Sequence, residues 1–570
     1  MSVKKVVFGS PESVKPSNFC KDFNYVEGSI SYDISKINFK VTARGCLLEL
    51  PFSESEHVYG LGLQLKQFDF RGKHAKLKVN ADPIAPTGDS HAPVPFFVST
   101  NGYGIYFDTA RNVEFDFGRK EISSIISERD DYKVKLCTEE LYLANRVEDS
   151  LITVCIPVAK GIDVYIFEGE NITDIVSQYN MLSGGGCSVP EWGFGLFYRC
   201  CGSYNEKQVI ETAQYFKDKN IPCSVLGIEP GWQTRAYSCS YAWDKELFPN
   251  SKRMIKRLYD MSYHVNLWEH AFVNGESLVF NALKQYSANY AVWNGLVPDF
   301  SYEEAREIFA KHHNDEVDYG LIDGYKLDEC DGSDYTGGWS FPDCTQFPSG
   351  IDGEQYHNIF GTLYMQTMLK ALNGKPTYSE VRNAGALCSS YPFVLYSDLY
   401  DHEDFIRGIA SSGFSGLLWS PEVRHAESKE EFIRRLQTVV FSAQCLINGW
   451  YCEELPWIKF DCEKQVKRWI DEREKLKPYL IKAFEEYKKT GKPPIRALVS
   501  DYTDDEQTYE IDDEYVFCDC FIVAPIKAGE MGRKVYLPHG EWVNYFTGEE
   551  QKNGWFVVQT NDIPVYKKKS

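Results

Sequence analysis

The stretch GYKLDECDGSD, residues 324 to 334, places four carboxylates (Asp328, Glu329, Asp331 and Asp334) within seven positions directly after a short apolar run. Such a cluster is a metal loop, a solvated turn, or the place where one carboxylate attacks a substrate. The order D-x-[DN]-x-[DN]-G of a calcium loop is missing, and no Cys or His stands at zinc-ligand spacing, so no metal is expected. Other acids close apolar runs elsewhere: Glu229 in GIEPGW, Glu269 in NLWEH, Asp398 in LYSDLYDH and Glu422 in LWSPEVRH. Carboxylates gathered without metal ligands point to glycoside hydrolysis. There, one acid protonates the leaving oxygen while the other attacks the anomeric carbon or activates water. Crowding like charges on one rim is costly, and it usually marks a site that pushes their pKa values apart.

Positioning these acids is the work of a repeating scaffold. Eight segments read as strands: GFGLFYR (193–199), CSVLGIEP (223–230), HVNLWEH (264–270), GLIDGYKLDE (320–329), PTYSEV (376–381), FVLYSD (393–398), GLLWSP (416–421) and CLINGWY (445–451). Helical patterns lie between many of them. Ser203 with Glu206, and Ser428 with Glu431, have capping-box spacing ahead of an apolar helix face. The rhythm is that of an α/β fold, a (β/α)8 TIM barrel spanning 183–488 with an insertion at about 330–353. In such a barrel the active groups stand at the C-terminal strand ends. These ends carry Arg199, Glu229, Glu269 with His270, Asp328 with Glu329, Arg382, Asp398, Glu422, and Trp450 with Tyr451. Residues 1–182 read as short strands (FKVTARGCLLEL, GYGIYFDTA, DYKVKLCT, DVYIFEG) of an N-terminal β-sandwich with almost no helical period, and SGGGCSVPE punctuates its end. Residues 489–570 return to strands as a smaller C-terminal β domain.

Composition narrows the class. A chain of 570 residues exceeds one ordinary core. No apolar stretch is long enough to span a membrane, and MSVKKVVFGSPES lacks the apolar region of a secretory signal, so the expected address is cytoplasmic. Seventeen cysteines without a CxxC pair, several inside apolar runs (Cys223, Cys445, Cys518), read as buried reduced thiols. A net charge of −21 argues against nucleic acid and anionic membranes. An aromatic content of 15% suits both a large core and the stacking of rings on sugar faces. A homo-oligomer stays open.

The chain resembles glycoside hydrolase family 31, the retaining α-glycosidases, from about residue 55 to 565. The resemblance rests on HVYGLGLQ, TGDSHAPVPFFVS, VPEWGFGLFYRCCGSYNEKQV, VWNGLVPDFSYEEAREIF, DDEYVFCDCFIVAPI and KVYLPHGEWVNYFTGE, in that order. It implies that Asp328 of the K-x-D motif KLDEC is the nucleophile. Lys326, two residues earlier on the same strand face, would keep it ionised. Asp398 matches the acid/base position, with Tyr396 and Ser397 where the family has Trp and Gly, and Asp401 is the alternative. Arg382 in EVRNAG matches a sugar-binding arginine. Glu229 and Glu422 stand where the family commonly has Asp, and NGWY replaces the usual Arg-x-His after the last strand. The implied substrate contacts are Glu229, Trp268, Lys326, Arg382, Trp419, Glu422 and Asp89, the last on loop 81–92 together with His91. Trp232 and Trp339 are further candidate walls, and Trp450 and Tyr451 could stack on sugar. Glu329 is expected on the opposite strand face.

The closest resemblance is to α-galactosidase-type members. It implies a retaining, exo-acting enzyme releasing a terminal α-hexose, an α-galactoside for preference, from a small oligosaccharide or glycoside, with no cofactor and no metal. An α-glucosidase, an α-xylosidase, or an α-transglycosylase using the same two acids is the alternative.

Overall fold

The computed structural model describes residues 3–53, 55–118 and 151–569; the expected strand DYKVKLCT falls outside them. Among the described residues, alternation of buried and exposed positions at period two pairs the N-terminal segments into two antiparallel five-stranded sheets. Leu48, Leu50, Ile105, Phe107, Phe115, Ile152 and Val154 fill the space between them. Besides the short helix Pro16–Phe19, one longer part of this region is not β. Asn171 accepts a hydrogen bond from the Asp174 N–H, and Ile172, Ile175, Val176 and Tyr179 recur at helical spacing in the helix Ile172–Met181. Tyr179 stacks on Phe96 of the sandwich at 4.1 Å, and its hydroxyl accepts from the Leu387 N–H of the barrel, so this helix joins the two.

The central sheet contains seven parallel strands: β1 (Leu196–Arg199), β2 (Val225–Ile228), β3 (His264–His270), β4 (Gly324–Asp328), β5 (Ser379–Val381), β6 (Phe393–Leu395) and β7 (Cys445–Asn448). Their order is β6-β5-β4-β3-β2-β1-β7, so the sheet curls through almost a full turn. The expected strand 416–421 does not form. Pro421, which ends the segment, has no N–H to give a ladder, and only two isolated parallel bridges survive on either side of it, Leu395 with Trp419 and Val423 with Ile447. The Leu395 N–H donates to the Leu418 carbonyl at 2.8 Å and the Val423 N–H to the Leu446 carbonyl at 3.1 Å, so an irregular strap closes the barrel between β6 and β7.

Helix Lys429–Val440 begins as expected, with Ser428 accepting from the Glu431 N–H. Helix Glu206–Asp218 starts two residues later than Ser203 suggests. Asn205 takes the Gln208 N–H at 3.1 Å and Gln208 returns the bond to the Asn205 N–H at 3.0 Å, a complete capping box that leaves Ser203 outside. At the barrel end remote from the expected site, buried Arg473 of helix Glu463–Thr490 donates to the carbonyls of Phe194, Val440, Ser442 and Ala443 at 2.7 to 3.1 Å. A six-stranded and a two-stranded sheet form the C-terminal region. Among the described cysteines Cys344 alone is exposed, Cys445 and Cys518 are buried, and Cys223 is half-buried. No helix among the described residues is long and apolar enough to cross a membrane.

The sandwich grips the segment following β4. Lys78 reaches Asp343 at 2.7 Å and also pairs with Asp334, while Arg111 reaches Asp352 at 2.6 Å. Three acids of a stretch with little regular structure are thereby tied to another domain.

Candidate active site

Alternation along β4 sends Lys326 and Asp328 into the barrel. Asp328 Oδ2 accepts from the Trp268 indole N–H at 2.6 Å, and Oδ1 accepts from the Glu329 N–H at 2.9 Å. Arg382, just past β5, brings its Nε to 3.9 Å from Asp328 and donates from Nη1 to Asp398 Oδ2 at 2.6 Å. Its Nε also donates to Asp331 Oδ2 at 2.8 Å. One guanidinium thus gathers three carboxylates from two strand ends. Arg424 adds a second cation, 3.3 Å from Asp398 Oδ1 and bonded to the Asp398 carbonyl.

A buried imidazole from the sandwich holds the two acid-bearing loops together. His91 Nδ1 lies 2.7 Å from Asp331 Oδ2, and Nε2 lies 2.6 Å from the Ser397 hydroxyl. With Asp331 ionised, Nδ1 carries the hydrogen and Nε2 accepts from Ser397, whose oxygen in turn accepts the Leu399 N–H at 3.0 Å.

Beneath the mouth lies a closed ionic floor. Lys326 Nζ is 3.1 Å from Glu422 and 3.8 Å from Glu229, and 4.5 Å above the Tyr396 ring. Arg199 pairs with Glu229 and donates to Asn266 at 2.8 Å; Asn266 donates to Glu380 at 2.8 Å, and Asn448 to Glu422 at 2.8 Å. Burial pushes the Glu380 carboxyl up to about 7 against the pull of Arg199 and Lys326. Two cations thus face Glu229 and Glu422 at close range, with Glu380 near neutrality beside them.

The two principal acids are driven apart. Burial raises Asp328, with the charge of Asp398 adding to it, against Arg382 and Lys326. Burial also acts on Asp398, but Arg382, Lys326 and Arg424 outweigh it and hold this acid well below the usual carboxylate range. Asp398 remains half exposed, at 52% of its side chain. Burial would raise Asp331 too, yet Arg382 and His91 hold it low.

Of the residues expected in the site, the structure brings together Asp328, Asp398, Arg382, Lys326, Trp268, Glu229 and Glu422, the last two as buried partners of cations in the floor. Trp419 is elsewhere. Because its segment is not a strand, its indole turns outward, donating to the Phe405 carbonyl at 3.3 Å and packing against Gly408 of helix His402–Ser412. Asp89 is occupied within its own loop by Asn80 at 2.6 Å and by Thr87, and its neighbour His91 is the residue that reaches the site. Asp401 caps helix His402–Ser412 by accepting the Glu403 and Asp404 N–H groups, which leaves Asp398 at the mouth. Glu269 faces outward to His313 at 2.9 Å and Tyr364 at 2.8 Å. Trp232 is fully buried and donates to the Trp268 carbonyl. Trp450 and Tyr451 are exposed on the rim at 41% and 38%.

Sequence reasoning missed Arg424 and Tyr237. Tyr237 lies 5.5 Å from the Trp268 ring and 4.9 Å from Trp293, completing an aromatic wall beside Asp328. Nothing in their local sequence marks either residue; both lie in loops. Among the described residues no group of three or more His, Cys, Asp or Glu side chains is arranged to hold a metal ion.

Strand-end carboxylates sharing an arginine beside a wall of aromatic rings are a glycosidase-type site on a curled parallel barrel. The domain matches agree. The glycosyl hydrolases family 31 TIM-barrel domain matches residues 187–483, the family's N-terminal galactose mutarotase-like domain residues 35–116, and its C-terminal domain residues 491–570. The chain belongs to glycosyl hydrolase family 31.

It is 23% identical over 550 residues to an alpha-xylosidase of Emericella nidulans and 26% identical over 555 residues to alpha-glucosidase 2 of Bacillus thermoamyloliquefaciens. Each alignment covers 90% of this chain and 66% of the relative, so the chain spans just under two thirds of the length of these curated relatives. Among solved structures, a Flavobacterium johnsoniae dextranase complexed with glucose superposes with a TM-score of 0.78 at 21% identity, covering 93% of this chain and 67% of that one. An alpha-xylosidase from a soil metagenome complexed with xylose gives 0.78 at 20%, covering 95% and 84%. The expected leaning toward α-galactosidase-type members is not supported, since these relatives are named for xylose and glucose.

Proposed function

We propose that the protein is an exo-acting retaining α-glycoside hydrolase that releases a terminal α-linked xylose or glucose by double displacement. The observation that carries this reading is the placement of Asp328 and Asp398 about one guanidinium, Arg382. The names of the relatives support the sugar. Asp328 attacks the anomeric carbon, the glycosidic C–O bond breaks, and Asp398 gives its proton to the departing oxygen. Asp398 then takes a proton from water, whose oxygen attacks the same carbon and frees the Asp328 carboxylate.

In the unliganded site Asp398 is the more readily ionised of the two, the reverse of what the first step requires. A bound sugar changes this by covering the half-exposed Asp398. Loss of water raises its pKa, while the Trp268 and Glu329 N–H donors continue to favour the Asp328 anion.

The test is a panel of aryl α-xylosides, α-glucosides and α-galactosides, with proton NMR of the first-formed anomer. Turnover of the xyloside or glucoside with the α-anomer formed first is expected; a galactoside preference overturns the sugar assignment, and β-anomer overturns retention. A 5-fluoroglycosyl fluoride should label the peptide containing Asp328, and a label on Asp398 would reverse the two roles. Product analysis with added acceptor sugar separates hydrolysis from transfer.

A further inference from the structure

Strand alternation places residue 329 on the outer face of β4, away from the mouth. The backbone departs from that pattern at this residue. Glu329 adopts φ 56°, a left-handed conformation uncommon for glutamate. The strand therefore ends at Asp328, and the next side chain is not directed by alternation. Its surroundings are those of the mouth. The charges of Asp328, Asp331, Arg382 and Asp398 all act on its carboxyl. Tyr237, on the loop after β2, feels Asp328 and Glu329 together, and its ring is half exposed. Glu329 thus lies within electrostatic reach of the attacking carboxylate and of Tyr237, whose ring stands beside Trp268 and Trp293.

Its hydrogen-bonding state sets it apart. Asp328 has Trp268, Asp331 has His91 and Arg382, Asp398 has Arg382 and Arg424, and Glu229, Glu380 and Glu422 are held in the floor. The Glu329 carboxyl has no hydrogen bond or ion pair among the described residues, and it is only partly buried. A polar group left unpaired at the mouth of a sugar site is free to bind the ligand.

We propose that Glu329 is a specificity-determining residue whose carboxyl hydrogen-bonds a hydroxyl of the sugar seated over Asp328. This rests on the glycosidase reading above. Burial, then the negative charge of Asp328, pushes the Glu329 carboxyl up to about 9, against Arg382 and with Asp331 and Asp398 adding to the rise. It therefore meets the sugar as a neutral acid and donates its O–H to the hydroxyl oxygen. A neutral group here also spares Asp328 a second adjacent negative charge.

The experiment pairs E329L, which removes the donor, and E329Q, which keeps a donor but cannot titrate, with an aryl α-glycoside and its monodeoxy series. On the full substrate E329L should lose about tenfold in kcat/KM, the worth of one neutral hydrogen bond. With one particular deoxy substrate the gap between wild type and E329L should close to within about threefold, because that substrate lacks the partner hydroxyl. E329Q should stay within about fivefold of wild type below pH 8 and lose the fall in kcat/KM that accompanies ionisation near pH 9. If no deoxy position closes the gap, or E329L matches wild type throughout, the proposal is overturned. Calorimetric binding of xylose, glucose and the deoxyglucoses to wild type and E329L gives the same comparison without turnover. A protein that hydrolyses nothing yet loses monosaccharide affinity in E329L would sink the hydrolase reading and keep this one. Equal affinities would overturn this one alone.

Discussion

Replacing His91 by alanine should cripple turnover while leaving substrate binding almost intact. The imidazole is fully buried and uses both nitrogens, one on the Asp331 carboxylate at 2.7 Å and one on the Ser397 hydroxyl at 2.6 Å. A hydrogen bond to a charged group is worth about 1.5 to 3 kcal/mol and a neutral one about 0.5 to 1.5, so the loss is on the order of 3 kcal/mol. It falls on two places at once. Asp331 also holds Arg382, which holds Asp398, and Ser397 precedes Asp398 in the chain. A reacting group misplaced by an ångström costs about a hundredfold. The expected result is a kcat lower by about 10²-fold with KM within about threefold, on any aryl glycoside the wild type cleaves. His91→Asn, whose amide N–H can stand where Nδ1 stands, should recover part of the loss by restoring the Asp331 contact alone. The reasoning is refuted if His91→Ala keeps kcat within threefold of wild type while its melting temperature falls, since the imidazole would then support the fold without positioning the acids.

Other outcomes are expected from the same geometry. Asp328→Asn should abolish turnover to below about 10⁻⁴ of wild type, and Asp398→Asn should be rescued by azide only on substrates with good leaving groups, both read by steady-state kinetics. For Glu380 the folded pKa of about 7 lies above the ordinary value of 4.5, so its favourable contribution is complete below pH 4.5 and is lost as pH rises toward 7. Glu380→Gln should therefore match wild type in denaturant unfolding at pH 4.5 and be more stable at pH 8, by up to about 3 kcal/mol. A wild-type advantage at pH 8 would contradict this. Arg473→Met leaves four carbonyls at the barrel floor without their charged donor and should cost on the order of 4 kcal/mol in unfolding experiments. Its activity at low temperature should be preserved, because the contact lies at the opposite end of the strands from Asp328.

Much of the site was readable where regular structure carries side chains in a fixed direction. Lys326 and Asp328 are two apart at the end of a real strand, and period two alone puts both in the barrel. Glu269 shows the same rule working against a tally of acidic strand ends: it neighbours Trp268, which faces inward, and so it faces out. The rule failed where the backbone stops being a strand. Glu329 turns left-handed, so alternation no longer sets its direction, and Trp419 lies in a strap interrupted by Pro421. Helix Ile172–Met181 was legible in principle, from Asn171 followed by apolar residues at helical spacing, but it sits among strands that dominate the reading. His91, Arg424 and Tyr237 come from loops of three different regions, and only the tertiary fold sets them beside Asp328 and Asp398.

The floor of interlocked charges beneath the mouth limits how the proposed glycosidase could be redirected to other sugars. Glu229 and Glu422 occupy positions at which a designer would first try a shorter acid, yet each is committed to a cation, Glu229 to Arg199 and Glu422 to Lys326. Shortening either would strand a buried cation, so the fold would suffer before selectivity changed. Variation should be tolerated instead on the surfaces above, at Glu329 and at the exposed rings of Tyr237, Trp450 and Tyr451. Libraries aimed at new substrates would find their useful members there, with the layer below kept as inherited.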